Sequence, residues 1–390
     1  MTEKLLNSLA HSGKVQDLKM YRFRIMRPFV RGKRFQVTAN EALLRSSNNG
    51  DEEGVISALA RGASTRCFGK KAEQSLHPGE YPITLASQQG HLEILDLLLQ
   101  AKETADVNVR NLSGWTPLCL ACREGHLNIV TKLVDSIVDS HDIFLATTKG
   151  KTPLMCASRS GHVDIVQFLL KKGAAIELKS QRGWKSLHHA VSNGHSKVTN
   201  ALFCRGANAT SKSVSSGQSV LSVASRSGKV DIVVDVLKHI SKQENPVQKT
   251  FTQRSSPNYV MPINAVDKED KSALHIACSY NSLGVVRVLL ANGANKNAID
   301  NMGETPLITA AKEGNDRVVR ILLENKCSTE ILCNNGWTAL MWACSNKHVG
   351  AAKLLNPANI EAADRIAAHQ RERGFFEATR PSHVHNDDGL

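Results

Sequence analysis

Gly114-Trp-Thr-Pro-Leu118, followed by Cys119-Leu-Ala-Cys-Arg-Glu-Gly-His126, is the stretch whose reading decides the fold. Thr before Pro is a helix start: the hydroxyl accepts from open backbone amides, and Pro at the first helical position loses no needed hydrogen bond. Small Ala121 lets that helix pack closely on its neighbours. Gly125 ends it, because a left-handed backbone costs little without a Cβ.

Working outward, the opening recurs as Gly150-Lys-Thr-Pro-Leu154, Gly183-Trp-Lys-Ser-Leu187, Gly217-Gln-Ser-Val-Leu221, Asp270-Lys-Ser-Ala-Leu274, Gly303-Glu-Thr-Pro-Leu307 and Gly336-Trp-Thr-Ala-Leu340. A weaker copy, Gly79-Glu-Tyr-Pro-Ile83, comes first, and the steps between copies are 35, 36, 33, 34, 53, 33 and 33 residues. Each copy has Ala three positions after its Leu or Ile, from Ala86 to Ala343, and four copies continue into Gly-His: Gly90-His91, Gly125-His126, Gly161-His162 and Gly194-His195. An apolar stripe such as Ile165, Val166, Phe168, Leu169 and Leu170 follows at helical spacing, closed by Gly173-Ala174. One such unit cannot bury its own apolar face, so the units must stabilise one another in a row.

These residues resemble the ankyrin repeat family over about 79–357, with a degenerate first repeat at 41–63. The resemblance implies an all-α fold: an α-solenoid of eight or nine helix-turn-helix repeats joined by short β-hairpin connections. The domain reading is a basic arm over 1–40, repeats over 41–237, an inserted loop over 238–263, repeats over 264–357, and a cap and tail over 358–390. The loop reading rests on Lys242-Gln-Glu-Asn-Pro246 and Ser255-Ser-Pro-Asn258, polar and Pro-bearing. Lys185-Ser186 in place of Thr-Pro predicts a less well capped helix, and Ser219-Val220 an imperfect one.

Composition narrows the class. Lys plus Arg total 49 against 36 Asp plus Glu, a net +13. Residues 1–40 hold nine basic and two acidic side chains, a net +7, leaving +6 for the remaining 350. Nine cysteines at no framework spacing, with Glu3 and Lys4 in an opening that has no long apolar run, are expected of an intracellular protein, cytoplasmic or nuclear, with reduced thiols and no transmembrane segment. Cys119-x-x-Cys122 has metal-like spacing but no second pair, and Cys122, Cys278 and Cys344 share one repeat position, which reads as small buried side chains. His91, His126, His162 and His195 occur one per repeat, where the resemblance implies a bond to the adjacent repeat's backbone; His188 and His275 are likewise scaffold. No phosphate-cradling Gly-rich loop, nucleophile elbow, zinc-protease helix or kinase motif set is present. The expectation is therefore no catalytic, metal or cofactor residue, and a function in protein recognition as adaptor, scaffold or regulatory subunit.

Carried over position by position, the resemblance places a partner on the concave hairpin and first-helix face. The residues singled out there are Trp115, Arg123, Lys149, Lys151, Arg159, Arg182, Trp184, Arg226 and Trp337. Trp115, Trp184 and Trp337 occupy one repeat position, where Trp either anchors a partner or covers the neighbouring hairpin and plugs the stack. From Lys149 to Arg226 the selected positions carry five cations and no carboxylate, so a partner with an acidic patch is expected, against the plainer reading of a solvated basic face. The arm, Lys19-Met-Tyr-Arg-Phe-Arg-Ile-Met-Arg-Pro-Phe-Val-Arg-Gly-Lys-Arg34, interleaves Arg with aromatics. That pattern supplies the alternative function, binding nucleic acid or anionic membrane, and also fits an import signal or simple packing on the first repeat.

Overall fold

Helix starts, helix stops and apolar stripes fall where the repeat demands them in a computed structural model, which describes residues 33–69, 77–101, 105–136, 145–243 and 261–356. The described chain is helical, with two isolated antiparallel bridges, Lys212 with Ser219 and Val266 with Ser272, and no longer strand. It divides into two compact units, Met1–Ala190 and Val191–Leu390. Most of the arm (1–32), residues 244–260 of the insertion and the tail from 357, with Ile366 and Phe375-Phe376, lie outside the described residues.

In the first unit, helix pairs follow one another: α1 (Lys33–Asn49) with α2 (Glu52–Ala60), α3 (Pro82–Gln89) with α4 (Leu92–Gln100), α5 (Pro117–Glu124) with α6 (Leu127–Ser136), and α7 (Pro153–Ser160) with α8 (Val163–Lys171). The first helices pack in the series α1, α3, α5, α7, and the second helices in the series α2, α4, α6, α8. Helix α1 begins at Lys33, within the stretch read from sequence as arm. Helix α9 (Ser186–Ser192) straddles the division between units.

The second unit continues with α10 (Ser196–Cys204), α11 (Val220–Ser227) and α12 (Val230–Gln243), then a short 3-10 turn at Pro262–Asn264. Three further pairs complete it: α13 (Ala273–Ser279) with α14 (Leu283–Ala291), α15 (Pro306–Lys312) with α16 (Asp316–Glu324), and α17 (Ala339–Ser345) with α18 (Val349–Leu355). Helix α12 runs six residues into the span read as an inserted loop, because Ile240 keeps the apolar spacing and is buried.

Caps follow the expected chemistry. Thr116, Thr152, Thr305 and Thr338 accept through Oγ from the amides of Cys119, Met155, Ile308 and Met341 at 3.2–3.3 Å. Ser219 does the same for Ser222 at 3.1 Å, so this start is as well capped as the Thr-Pro ones, contrary to the sequence expectation. Lys185 has no side-chain acceptor to cap with; its amide donates to His188 Nδ1 at 3.4 Å, as the Ser272 amide does to His275 Nδ1 at 3.2 Å. Gly125 takes φ +92 and closes α5 on Ala121 O at 3.0 Å. Asn281 and Lys347 hold the same left-handed conformation without being glycine, at a cost on the order of 1 kcal/mol each.

The core is the stripe shared by successive pairs. Ile165, Val166 and Leu169 on α8, and Ala86, Ala121 and Ala157 on the first helices, are essentially unexposed. Leu169→Ala should lower unfolding stability by about 2–5 kcal/mol through lost burial and a residual cavity. Gln167→Ala on the exposed side of the same helix should change it by no more than about 0.5 kcal/mol. Urea denaturation of both variants checks the inside–outside assignment; equal effects would contradict it.

Candidate functional site

Each repeat opening is a tight hairpin whose tip is tied to the next one. Asn111 donates its amide to Trp115 O at 2.9 Å, and Thr147 and Ser180 repeat this with Lys151 O and Trp184 O at 2.9 Å. Between tips, the Thr148 amide donates to Gly114 O at 3.0 Å and the Gln181 amide to Lys149 O at 3.2 Å. In two repeats the residue after the hairpin glycine meets the end of its own repeat's first helix, eight positions later: Trp115 with Arg123, and Glu304 with Lys312.

In the first unit three of the predicted residues, Trp115, Arg123 and Lys151, come together. The Arg123 guanidinium carbon stands 4.8 Å from the centre of the Trp115 ring and Lys151 Nζ 5.7 Å from it, so two cations share one indole. Arg123 also pairs with Glu124 at 2.6 Å and lies near Glu80, whose carboxyl burial pushes up. Lys151 is half-buried. Its ammonium is held below the usual lysine range by that burial and by the charges of Arg159, Lys149 and Arg182, with Cys156 opposing. Among the described residues neither Lys149 nor Lys151 pairs with a carboxylate.

Beneath these cations lies a residue that sequence reasoning passed over. His189 occupies the column that holds Leu120 in α5 and Cys156 in α7. It is buried, with its ring 5.2 Å from that of Trp184. Burial first, then the charges of Lys151 and Arg159, push its imidazole down to about 3. An imidazole in a column that holds Leu85, Leu120, Cys156, Val223, Ile276, Thr309 and Trp342 in the other repeats was the available signal.

The three tryptophans do different things. Trp115 and Trp184 are half-buried, the first under cations and the second against His188 and His189. Trp337, in the second unit, is only 2% exposed, its ring 4.9 Å from Trp342. The expectation that Trp337 is accessible to a partner is thus corrected: a second Trp, on α17, supplies it with an internal neighbour. Lys312 Nζ covers Trp342 at 4.5 Å and pairs with buried Glu304 at 2.6 Å. Arg226, half-buried on α11, also belongs to the second unit, so no described contact joins it to the Lys149–Lys151 cluster.

The histidine row is scaffold. His91, His126 and His162 place Nε2 at 3.0–3.1 Å from the carbonyls of Asn48, Gln88 and Arg123, each at the end of the preceding first helix. His348 does so with Lys312 O at 3.1 Å, while Asn315 and Lys229 fill the role through side-chain nitrogens on Cys278 O and Gly194 O. His275 Nε2 lies 3.0 Å from Glu304 O. Cys119 is fully buried and donates weakly to Leu145 O and Lys151 O, and burial drives the Cys122 and Cys278 thiols well above their ordinary range. Among the described residues no three His, Cys, Asp or Glu side chains gather into a metal site, and no helix is long and apolar enough to cross a membrane.

The family described as ankyrin repeats, in a model of three copies, matches residues 43–142, 133–213, 210–300 and 274–364. The chain belongs to the ankyrin-repeat family. It is 49% identical over 53 residues to a probable E3 ubiquitin-protein ligase of Oryza sativa subsp. japonica, covering 14% of this chain and 10% of that protein. To a probable 26S proteasome regulatory subunit p28 of Saccharomyces cerevisiae it is 32% identical over 117 residues, 30% of this chain and 50% of the relative. To protein phosphatase 1 regulatory subunit 12A of Mus musculus it is 31% identical over 116 residues, 27% of this chain and 11% of the relative. The matched stretch thus spans half or less of each of these relatives.

His189 sets a pH dependence. Its folded value lies below the unfolded one of about 6.5, so the unfolded chain binds the extra proton and stability falls as pH drops from 6.5 towards 3. Between pH 7.5 and 5.5 the ankyrin-repeat chain should lose about 1.4 kcal/mol from this group. His189→Leu, which matches Leu120 in the same column, should remove that part of the loss in urea titrations at the two pH values. An unchanged pH dependence would show that His189 is not held neutral.

Proposed function

We propose that this ankyrin-repeat chain is a non-catalytic recognition subunit, an adaptor, scaffold or regulatory component, whose first unit grips an acidic segment of a protein partner. The observation that carries the reading is a half-buried Lys151 ammonium beside the Trp115 ring, held below the usual lysine range by burial and then by the charges of Arg159, Lys149 and Arg182. A negatively charged segment laid there offsets the cost of that ammonium's charge, which a purely apolar partner cannot. Trp115 serves as a platform that holds Arg123 and Lys151 in place rather than as a bare apolar anchor, and restricted side chains lose less entropy on binding. Two relatives bear the names of regulatory subunits and a third that of a ubiquitin ligase, in keeping with a repeat array that serves a larger assembly.

Affinity capture with mass spectrometry tests the reading. Partners of the wild-type chain should be depleted roughly tenfold by the double variant Lys149→Glu/Arg182→Glu, and by raising salt until the screening length falls to about 3 Å. Deleting residues 1–36 should leave their capture intact. Capture that survives both charge reversal and salt removes this face from contention; capture that is lost only with the deletion transfers the activity to the basic arm and its nucleic-acid or membrane alternatives.

A further inference from the structure

The hairpins of the first unit meet end to end along a strip of tips. The Gly79 amide donates to Gly69 O at 2.6 Å, the Leu112 amide to Gly79 O at 2.8 Å and the Thr148 amide to Gly114 O at 3.0 Å. A Cβ on Gly79 would collide with Leu112 Cβ, and one on Gly114 with Thr148 Oγ1, so these tips touch. Among the described residues, six repeat hairpins close on a bond from the fourth residue's amide to the first residue's carbonyl. Their second place holds Thr148, Gln181, Lys268, Asn301 and Asn334 in five of them, and in the sixth Leu112, which is 55% exposed. Phe68, which precedes Gly69, is 40% exposed, its ring 4.9 Å from that of half-buried Tyr81. The strip therefore begins apolar. Past Thr148 it turns cationic: Lys149 is exposed, and Lys151 is half-buried with Nζ 5.7 Å from the centre of the Trp115 ring. Glu80, next to Gly79, spends its carboxylate on Thr84 Oγ1 and Asn111 Nδ2, each donating at 2.8 Å.

We propose that this strip docks an acidic segment of a partner protein that also carries a large apolar side chain, the apolar group lying on Leu112 and Phe68 and the carboxylates reaching Lys149 and Lys151. The inference rests on the acidic-partner reading of the same unit and adds a second requirement to it. Neither Lys149 nor Lys151 has a carboxylate partner among the described residues, so acid in the partner is favoured at that end of the strip. An exposed leucine at a place that is otherwise polar gives nothing to a carboxylate. It gains only when another apolar surface takes it out of water. Charge draws the segment to the unit, and the apolar contact selects which acidic segments stay.

The test uses the full chain and three degenerate peptide pools: acidic residues alone, acidic residues with one Leu or Phe, and one Leu or Phe in a neutral background. The mixed pool should be enriched over the acidic pool by about tenfold, the effect of burying part of one large apolar side chain. Leu112→Ser should bring the mixed pool down to the acidic one and leave the acidic one unchanged, with Tm kept within about 2 °C. Lys149→Glu should lower both. Equal enrichment of the mixed and acidic pools, or a mixed pool indifferent to Leu112→Ser, overturns the docking strip and leaves the acidic-partner reading standing. Enrichment of neither, or a neutral pool enriched as strongly as the mixed one, overturns both. A larger fall in Tm with Leu112→Ser would mean that the chain itself covers Leu112, and a wild-type dimer that this change dissociates in sedimentation would mean that a second copy does. Tighter binding to phosphatidylserine vesicles than to the mixed pool would assign the strip to a membrane. Each of these three results overturns the proposal.

Discussion

A helix pair of about 33 residues has an apolar stripe on two sides and no third element of its own to cover either. Everything else in each unit follows from the way neighbouring pairs cover those stripes for one another. Ile165, Val166 and Leu169 on α8 are buried only because α6 and the first helices lie against them, and Ala121 and Ala157 permit the close approach of α5 and α7. Larger side chains at those alanines would hold the first helices apart, and overpacking of this kind costs about 1–3 kcal/mol.

A second set of bonds fixes how far apart successive repeats stand. The imidazoles of His91, His126 and His162, and the side chains of Asn315 and His348, reach back to carbonyls at the end of the preceding first helix. Those carbonyls have no partner within their own helix, so the latch satisfies groups that a helix end always leaves over. Hairpin-to-hairpin bonds do the same on the other side. Held at both ends, the first helices α5 and α15 bring Arg123 and Lys312 beside Trp115 and Glu304 of their own hairpins, eight residues earlier in the chain. The pair of cations over Trp115 is thus a consequence of repeat geometry meeting an unusual choice of side chains.

Much of this was legible in the sequence. The period, the Thr-Pro starts, the small Ala and the apolar stripes each rest on local chemistry, and local chemistry survives into the fold. Lys149 and Arg182 could be assigned to one repeat position because each precedes a hairpin glycine. What sequence spacing could not supply was the pairing across the repeat. Trp337 looked like Trp115, yet it is buried because Trp342 stands beside it and Lys312 with Glu304 closes over Trp342. Trp115 is covered by Arg123 and Lys151, a contact between a hairpin residue and a helix end that no helical or strand periodicity announces. His189 was hidden by a neighbouring histidine with a scaffold role, although no other repeat has a titratable imidazole in its column.

Mutual support between pairs is the claim most open to direct measurement, by native-state hydrogen exchange on the full chain and on Val166→Ala. Val166 is unexposed on α8, which packs on α6. If neighbouring pairs hold one another up, amide protection should fall in α5 and α6 as well as in α7 and α8. Protection lost only within α7 and α8, with α5 and α6 unchanged, would mean that each pair stands by itself and would contradict the account.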